Sequence, residues 1–343
     1  MDQGQDQREN SPGREEMEIS LFRPEDAPGV AELFRAVYGE GYPVKVYYHP
    51  DQLVAAVAAG DIIQVVARAG QGRVVGVESM FHTAPFEGVY EMGAGLVLAE
   101  FRNRGLSKAL NRHLTEEVIP QGKVAMAFGE PVCNHVFQQK AREGLGYVNT
   151  ALEVDLMPAA AYSREGSASG RVAALMGFKG YQERVHEVWL PGRHAWQLRE
   201  IYQGTGQERI FREADPSARL RGATQLKAQV FDFAQTARVA VPAAGADLAE
   251  RLDELLAELR GRGVVVAQAW LDLASPAVGA AVEVLRARGF FLGGLLPRWF
   301  DQDGLLLQKV YGLPNWEEIQ VASTRSLRIL EMVRQDWREA GQA

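Results

Sequence analysis

The stretch Glu91-Met92-Gly93-Ala94-Gly95-Leu96-Val97-Leu98-Ala99-Glu100-Phe101-Arg102-Asn103-Arg104-Gly105-Leu106-Ser107-Lys108, with the periodic run that follows it to Val118, decides how this chain is read. It has the form of a strand, a short basic loop holding one glycine, and the start of an amphipathic helix. Leu106, Ala109, Leu110, Leu114 and Val118 fall on one helical face, while Lys108, Asn111, Arg112 and Glu116 fall elsewhere. A helix N-terminus presents unpaired backbone N–H groups and a partial positive charge, so a strand that delivers its loop there makes an anion site. Arg102 and Arg104 add full charges. The segment is therefore expected to hold a phosphate or pyrophosphate; the plainer alternative for the two arginines is a solvated basic turn.

Working outward, 343 residues suggest about two domains. A hydrophobic fraction of 47% and a charged fraction of 24% are ordinary for a globular protein, and no apolar run approaches the length of a membrane span. The formal charge of −7 and pI near 5.5 argue against a nucleic-acid binder, whose affinity rests on basic surface. A single cysteine, Cys133, excludes an intramolecular disulfide framework and fits a reducing, cytoplasmic setting. Residues 1–16 are polar and charged, lack the apolar core of a secretory signal, and read as a disordered tail.

In chain order the pattern predicts a strand over 17–22, a helix opened by Pro24 and acidic residues, and an irregular loop over 38–50 rich in Gly, Tyr and Pro. Tyr47 and its neighbours form either a wall for a substrate or a cluster that packs the loop down. A short helix over 50–59, a hairpin of strands 62–69 and 74–82, and the strand 90–98 lead into the opening segment. A strand 123–128, a helix 136–144 and a strand 148–156 follow, giving a mixed sheet with helices on both faces. Residues 158–170 read as a linker. Beyond them, strands over 171–181, 185–190, 224–233, 236–241, 264–271, 292–296 and 304–310 and helices near 191–202, 247–260 and 276–288 repeat much of the first half, and 315–337 reads as one closing helix.

Strand, Arg/Gln-x-x-Gly-x-Gly/Ala/Ser loop and helix, then strand, asparagine, helix and Gly-aromatic, is a pattern that resembles the GNAT superfamily of acyl-CoA-dependent N-acyltransferases. The loop is Arg102-Asn103-Arg104-Gly105-Leu106-Ser107 and the later element runs from Asn134 to Gly146-Tyr147, so the resemblance spans about residues 17–157. It implies that acetyl-CoA or a longer acyl-CoA is the co-substrate, with no metal. The backbone of Gly95, Leu96 and Val97 would bind the pantetheine arm, and the amides from Asn103 through Gly105 and Leu106 to Lys108 would cradle the pyrophosphate, with Asn134 also on the donor side. Gly105 is the position where the backbone must approach closely.

The resemblance further implies direct transfer to an amine in a ternary complex, with a base that deprotonates the acceptor ammonium. Glu91, six residues before Val97, matches the glutamate base of some branches; its alternative is a surface carboxylate. The general-acid tyrosine that many members place four residues before the Gly-aromatic pair is absent, because Arg142 stands there. His135 is the nearby titratable substitute, in either a catalytic or a helix-capping role, and Cys133 has a weak case as nucleophile. The segment Glu130 to Lys140 is similar to one in a bacterial subgroup that carries a second domain, which implies that Glu130, His135 and Gln139 line the acceptor side; Tyr47 is the further acceptor-side candidate.

The second half also resembles a GNAT half, but its loop Pro242-Ala243-Ala244-Gly245-Ala246-Asp247 has neither arginine nor the glycine spacing. Arg219 to Thr224 matches the bare loop pattern without the strand before it or the helix after it. The expectation is thus an α/β protein of tandem GNAT-like domains, each a mixed, mostly antiparallel sheet flanked by helices: 17–157 active, 171–313 degenerate, and 314–343 a C-terminal helix. Its expected partner is a small-molecule or peptide amine, with no nucleic acid and no membrane span, and an oligomer is compatible with the sequence. The rival reading is a non-catalytic acyl-CoA-binding sensor or interaction protein.

Overall fold

The computed structural model describes residues 17–162 and 169–341; the expected tail over 1–16 and residues 163–168 of the expected linker lie outside them. The chain folds as two compact units. The first comprises the chain up to Met80 and Ala94–Val118, and the second comprises Phe81–Gly93 and Ile119 onward.

In the first unit, β1 (Met17–Leu21) is followed by α1 (Ala27–Tyr38), α2 (Pro50–Ala59), β2 (Ile62–Ala69) and β3 (Arg73–Phe81). The last four residues of β4 (Val89–Val97) and the helix α3 (Leu106–Arg112) complete it. The strands lie in the order β1-β2-β3-β4, with β1 antiparallel to β2. Val30, Leu33 and Phe34 of α1 are buried, as are Leu53 of α2 and Val65 and Val66 of β2. Arg68, inside the apolar β2, is tolerated because Asp26 is buried beside it, its Oδ1 accepting from Nε at 2.7 Å. The single helix expected over 106–118 differs in form: α3 ends at Arg112 and the next turn, His113–Val118, widens to π spacing.

The second unit contains β5 (Met126–Gly129), α4 (Phe137–Glu143), β6 (Val148–Pro158), β7 (Arg171–Gly180), β8 (His186–Leu190), α5 (Ala195–Tyr202) and β9 (Arg209–Glu213). It continues with β10 (Gln225–Phe231), β11 (Thr236–Ala243), α6 (Leu248–Gly261), β12 (Val266–Asp272), α7 (Val278–Arg286), β13 (Phe291–Leu296), β14 (Gly304–Val310) and α8 (Thr324–Ala340). From the start of β4 its main sheet runs β4-β5-β7-β6-β13-β14-β12-β11-β10, parallel at β4–β5 and β11–β12 and otherwise antiparallel. The mixed, mostly antiparallel sheet with flanking helices is the expected class. Strand β7, from beyond residue 170, lies between β5 and β6 from before it, so the two sequence halves share this sheet. Gly294 permits the junction of β6 and β13: at φ +138°, its Cα passes so close that a Cβ would stand 2.4 Å from the Thr150 carbonyl oxygen.

In the second unit, β9 and α8 differ from the sequence reading. Strand β9 was not expected, because Arg209-Ile210-Phe211-Arg212-Glu213 is largely polar; it pairs only with β8, in a separate two-stranded parallel sheet. The closing helix is also shorter than the expected 315–337. Trp316–Glu318 form one tight turn, and α8 begins at Thr324 behind a Ser323 cap. The intervening backbone is held out of helix by Gln139, which accepts from Ala322 N at 2.9 Å and donates to Gln320 O at 2.9 Å.

Candidate active site

In the first unit, β4 is kinked at Ala94, which has φ +54°. Gly95 sits directly over the buried Glu78, where a Cβ would lie 2.1 Å from Glu78 Oε2, and Asn111 of α3 donates to that same oxygen at 2.9 Å. Glycine at 95 is thus demanded by packing. Leu96 is buried, and the Val97 carbonyl accepts from Arg102 Nε at 3.2 Å.

After β4, Asn103 (φ +61°) and Gly105 (φ +76°) both take the left-handed region, and this reverses the chain into α3. Val97, Phe101, Arg102, Asn103, Gly105, Leu106, Ser107 and Lys108 line a hollow of about 330 Å³. Arg104 is held over the Phe101 ring at 5.2 Å, and Arg102, Asn103, Ser107 and Lys108 are exposed. No protein atom lies within 4 Å of where a Gly105 Cβ would be, so a side chain there would project into open space rather than into the fold. The first amides of α3 have no intrahelical partner. Basic side chains, free amides and a glycine-only approach together fit an anionic group such as a pyrophosphate.

In the second unit, a chain of charged groups gathers around Glu91. Glu91 is partly buried, and its Oε2 accepts from Thr83 Oγ1 at 2.8 Å. Burial, and then the neighbouring Glu130 carboxylate, push its carboxyl up to about 8, against the opposing pull of Arg238. The Arg238 Nη2 donates to Glu130 Oε1 at 2.7 Å and to Glu153 Oε1 at 2.9 Å, and its Nε donates to Gln268 Oε1 at 3.0 Å. Glu153 is fully buried, which with Glu130 raises its carboxyl to about 7. The three carboxylates hold the Arg238 guanidinium charged in spite of its burial. The parallel pairing of β4 with β5 covers Val89 to Glu91 and ends there, opposite Phe128.

Other sequence-chosen side chains are buried or partly buried. His135 is partly buried; its Nδ1 has no hydrogen-bond partner among the described residues and its ring lies 5.5 Å from Phe137. Gln139 is fully buried, and both of its polar ends bond backbone: the Val132, His135 and Gln320 carbonyls and the Ala322 amide. Tyr47 belongs to the first unit. It is buried and stacks on Phe34 at 4.4 Å and 6°, so the aromatic loop packs onto α1. Asn134 is buried at the β5–α4 connection. Burial pushes the Cys133 thiol up to about 12, removing it as a nucleophile. Arg142, where a tyrosine was sought, is buried, donates to the Met92 carbonyl at 3.2 Å and lies 5.6 Å from the Tyr147 ring centre.

Sequence reasoning missed Thr83, Glu153, Arg238 and Gln268. The available signal was a charged or amide side chain interrupting each of three apolar strands, Glu153 in β6, Arg238 in β11 and Gln268 in β12.

No family model matches the sequence, and no curated protein matches it. Among solved structures, the chain is similar to an acetyltransferase assigned to the GNAT family from Desulfovibrio desulfuricans, at 17% identity and a TM-score of 0.38, over 49% of this chain and 100% of that one. The ribosomal-protein-S18-alanine N-acetyltransferase of Escherichia coli aligns at 15% identity and TM-score 0.37, over 49% and 96%. An N-acetyltransferase of Staphylococcus aureus aligns at 13% and 0.38, over 49% and 99%.

Proposed function

We propose that the protein is an acyl-CoA-dependent N-acyltransferase that passes an acetyl or other acyl group to an amine by direct attack. The observation that carries this reading is Glu91: a partly buried carboxyl titrating near neutrality, on the same strand that delivers the glycine-permitted anion loop at 102–108. A carboxyl of ordinary affinity is a weak base towards an ammonium, and raising it narrows the gap.

Acyl-CoA would supply the activated thioester, with the amides of Asn103–Lys108 and the charges of Arg102, Arg104 and Lys108 holding its pyrophosphate. Glu91, once ionised and bonded by Thr83, would take the proton from the acceptor ammonium and leave a neutral amine to attack. No covalent intermediate on the protein is required.

The sensor reading is favoured by one observation, the buried Arg142 where a general-acid tyrosine would stand. Thiol release from acetyl-CoA in the presence of a panel of primary amines separates the two. The transferase reading expects amine-dependent release that is lost in E91Q; saturable CoA binding with no release for any amine favours the sensor.

A further inference from the structure

We infer that Arg238, from the second half of the chain, is a positioning residue of this transfer: its guanidinium fixes the Glu130 and Glu153 carboxyl groups and supplies the positive charge that offsets them. The inference rests on Glu91 being the proton acceptor.

Arg238 is the one charged residue of β11, Thr236-Ala237-Arg238-Val239-Ala240-Val241-Pro242-Ala243, and it is 9% exposed. Its Nε and Nη2 both donate within the cluster. Nη2 bridges Glu130 and Glu153, Nε reaches Gln268, and Gln268 Nε2 donates back to the same Glu153 oxygen at 2.8 Å. The plane is set by the Phe231 and Trp270 rings, each 5.8 Å from the guanidinium carbon. A lysine would bring the charge but not the fork.

The groups bearing on Glu91 are Glu130 from the segment after β5, Glu153 from β6, Arg238 from β11, and the Thr83 hydroxyl from the segment after β3. His82 packs on Tyr90 at 3.9 Å, and Arg142 of α4 bonds the Met92 carbonyl, so these flank Glu91 on its own strand. Burial and the Glu130 charge raise both the Glu91 and the Glu153 carboxyls, and the Arg238 charge opposes both shifts. The Arg238 charge lowers the cost of ionising Glu91. A half of the chain with no anion loop of its own thereby contributes to proton transfer.

The test reads Glu91 directly through its carboxyl stretching band in infrared difference spectra, wild type minus E91Q, followed against pH, alongside the pH profile of kcat/KM for acetyl transfer. R238M should raise the Glu91 midpoint by about one pH unit or more, as loss of a nearby opposite charge does. E130Q, which removes a like charge, should lower it. The double variant R238M/E130Q removes one charge of each sign and guards against misfolding of R238M alone; its midpoint should stand above that of E130Q. Equal midpoints in E130Q and R238M/E130Q overturn the inference. A wild type whose Glu91 titrates as described but which acetylates no amine instead tells against the transferase reading, so the two failures are distinct.

Discussion

Replacing Gly105 with alanine should separate folding from donor binding. Its φ of +76° lies where an L-residue costs about 1–2 kcal/mol. Because nothing in the protein lies within 4 Å of the added Cβ, no packing penalty is added to that strain. The variant should therefore remain folded and melt a few degrees lower. The methyl group would stand where a pyrophosphate must approach the backbone, and CoA affinity should fall at least about tenfold, or about 1.4 kcal/mol. Gly60→Ala is the matched control: φ is +83° at the end of α2, again with nothing within 4 Å, so it should cost similar stability and leave CoA affinity intact. Melting curves and isothermal titration with CoA measure both quantities. A Gly105→Ala protein that binds CoA as the wild type does would refute the assignment of the cradle, as would equal loss of affinity in Gly60→Ala.

Other consequences are open to direct measurement. Cys133, buried and with its thiol pushed up to about 12, should not react with an aromatic disulfide reagent at pH 8 until the protein is denatured; rapid labelling of the native protein would contradict its placement. Glu91 binds its proton more tightly folded than unfolded, so between the ordinary value of 4.5 and about 8 the native state holds more protons and this group's contribution to stability falls as pH rises. E91Q should accordingly melt higher than wild type at pH 9 and show no such gain at pH 4; a loss at pH 9 would mean that the carboxyl is not raised. Asp336 is buried and accepts from Arg286 Nη1 at 2.8 Å and from the Leu292 amide at 2.7 Å, so Asp336→Ala should cost about 3–5 kcal/mol in denaturant unfolding, and a cost below about 1 kcal/mol would show the pair to be solvated.

What could be read from the sequence followed from how local each signal is. The loop at 102–108 lies within one strand–helix connection, so its glycine, charges and helix start were visible as spacing, and the helices were marked by their apolar stripes. The cluster around Glu91 is assembled from residues 83, 91, 130, 153, 238 and 268, and no local pattern joins them. Gln139 shows how a long-range contact escapes local pattern. It sits in a motif-like segment, yet tertiary contacts with residues 320 and 322 consume its amide and break the expected closing helix. Tyr47 could pack or line a site; the stack on Phe34 settled that only in three dimensions. The insertion of β7 between β5 and β6 was also invisible, since strand order is not encoded in strand periodicity.

The account stands most directly on the transfer itself. Incubating the protein with acetyl-CoA carrying an isotopic label in the acetyl group and a mixture of primary amines, and then analysing the products by mass, should yield a labelled amide in step with free CoA, with E91Q yielding far less. Saturable CoA binding accompanied by no labelled amide at any pH from 7 to 9 would contradict it.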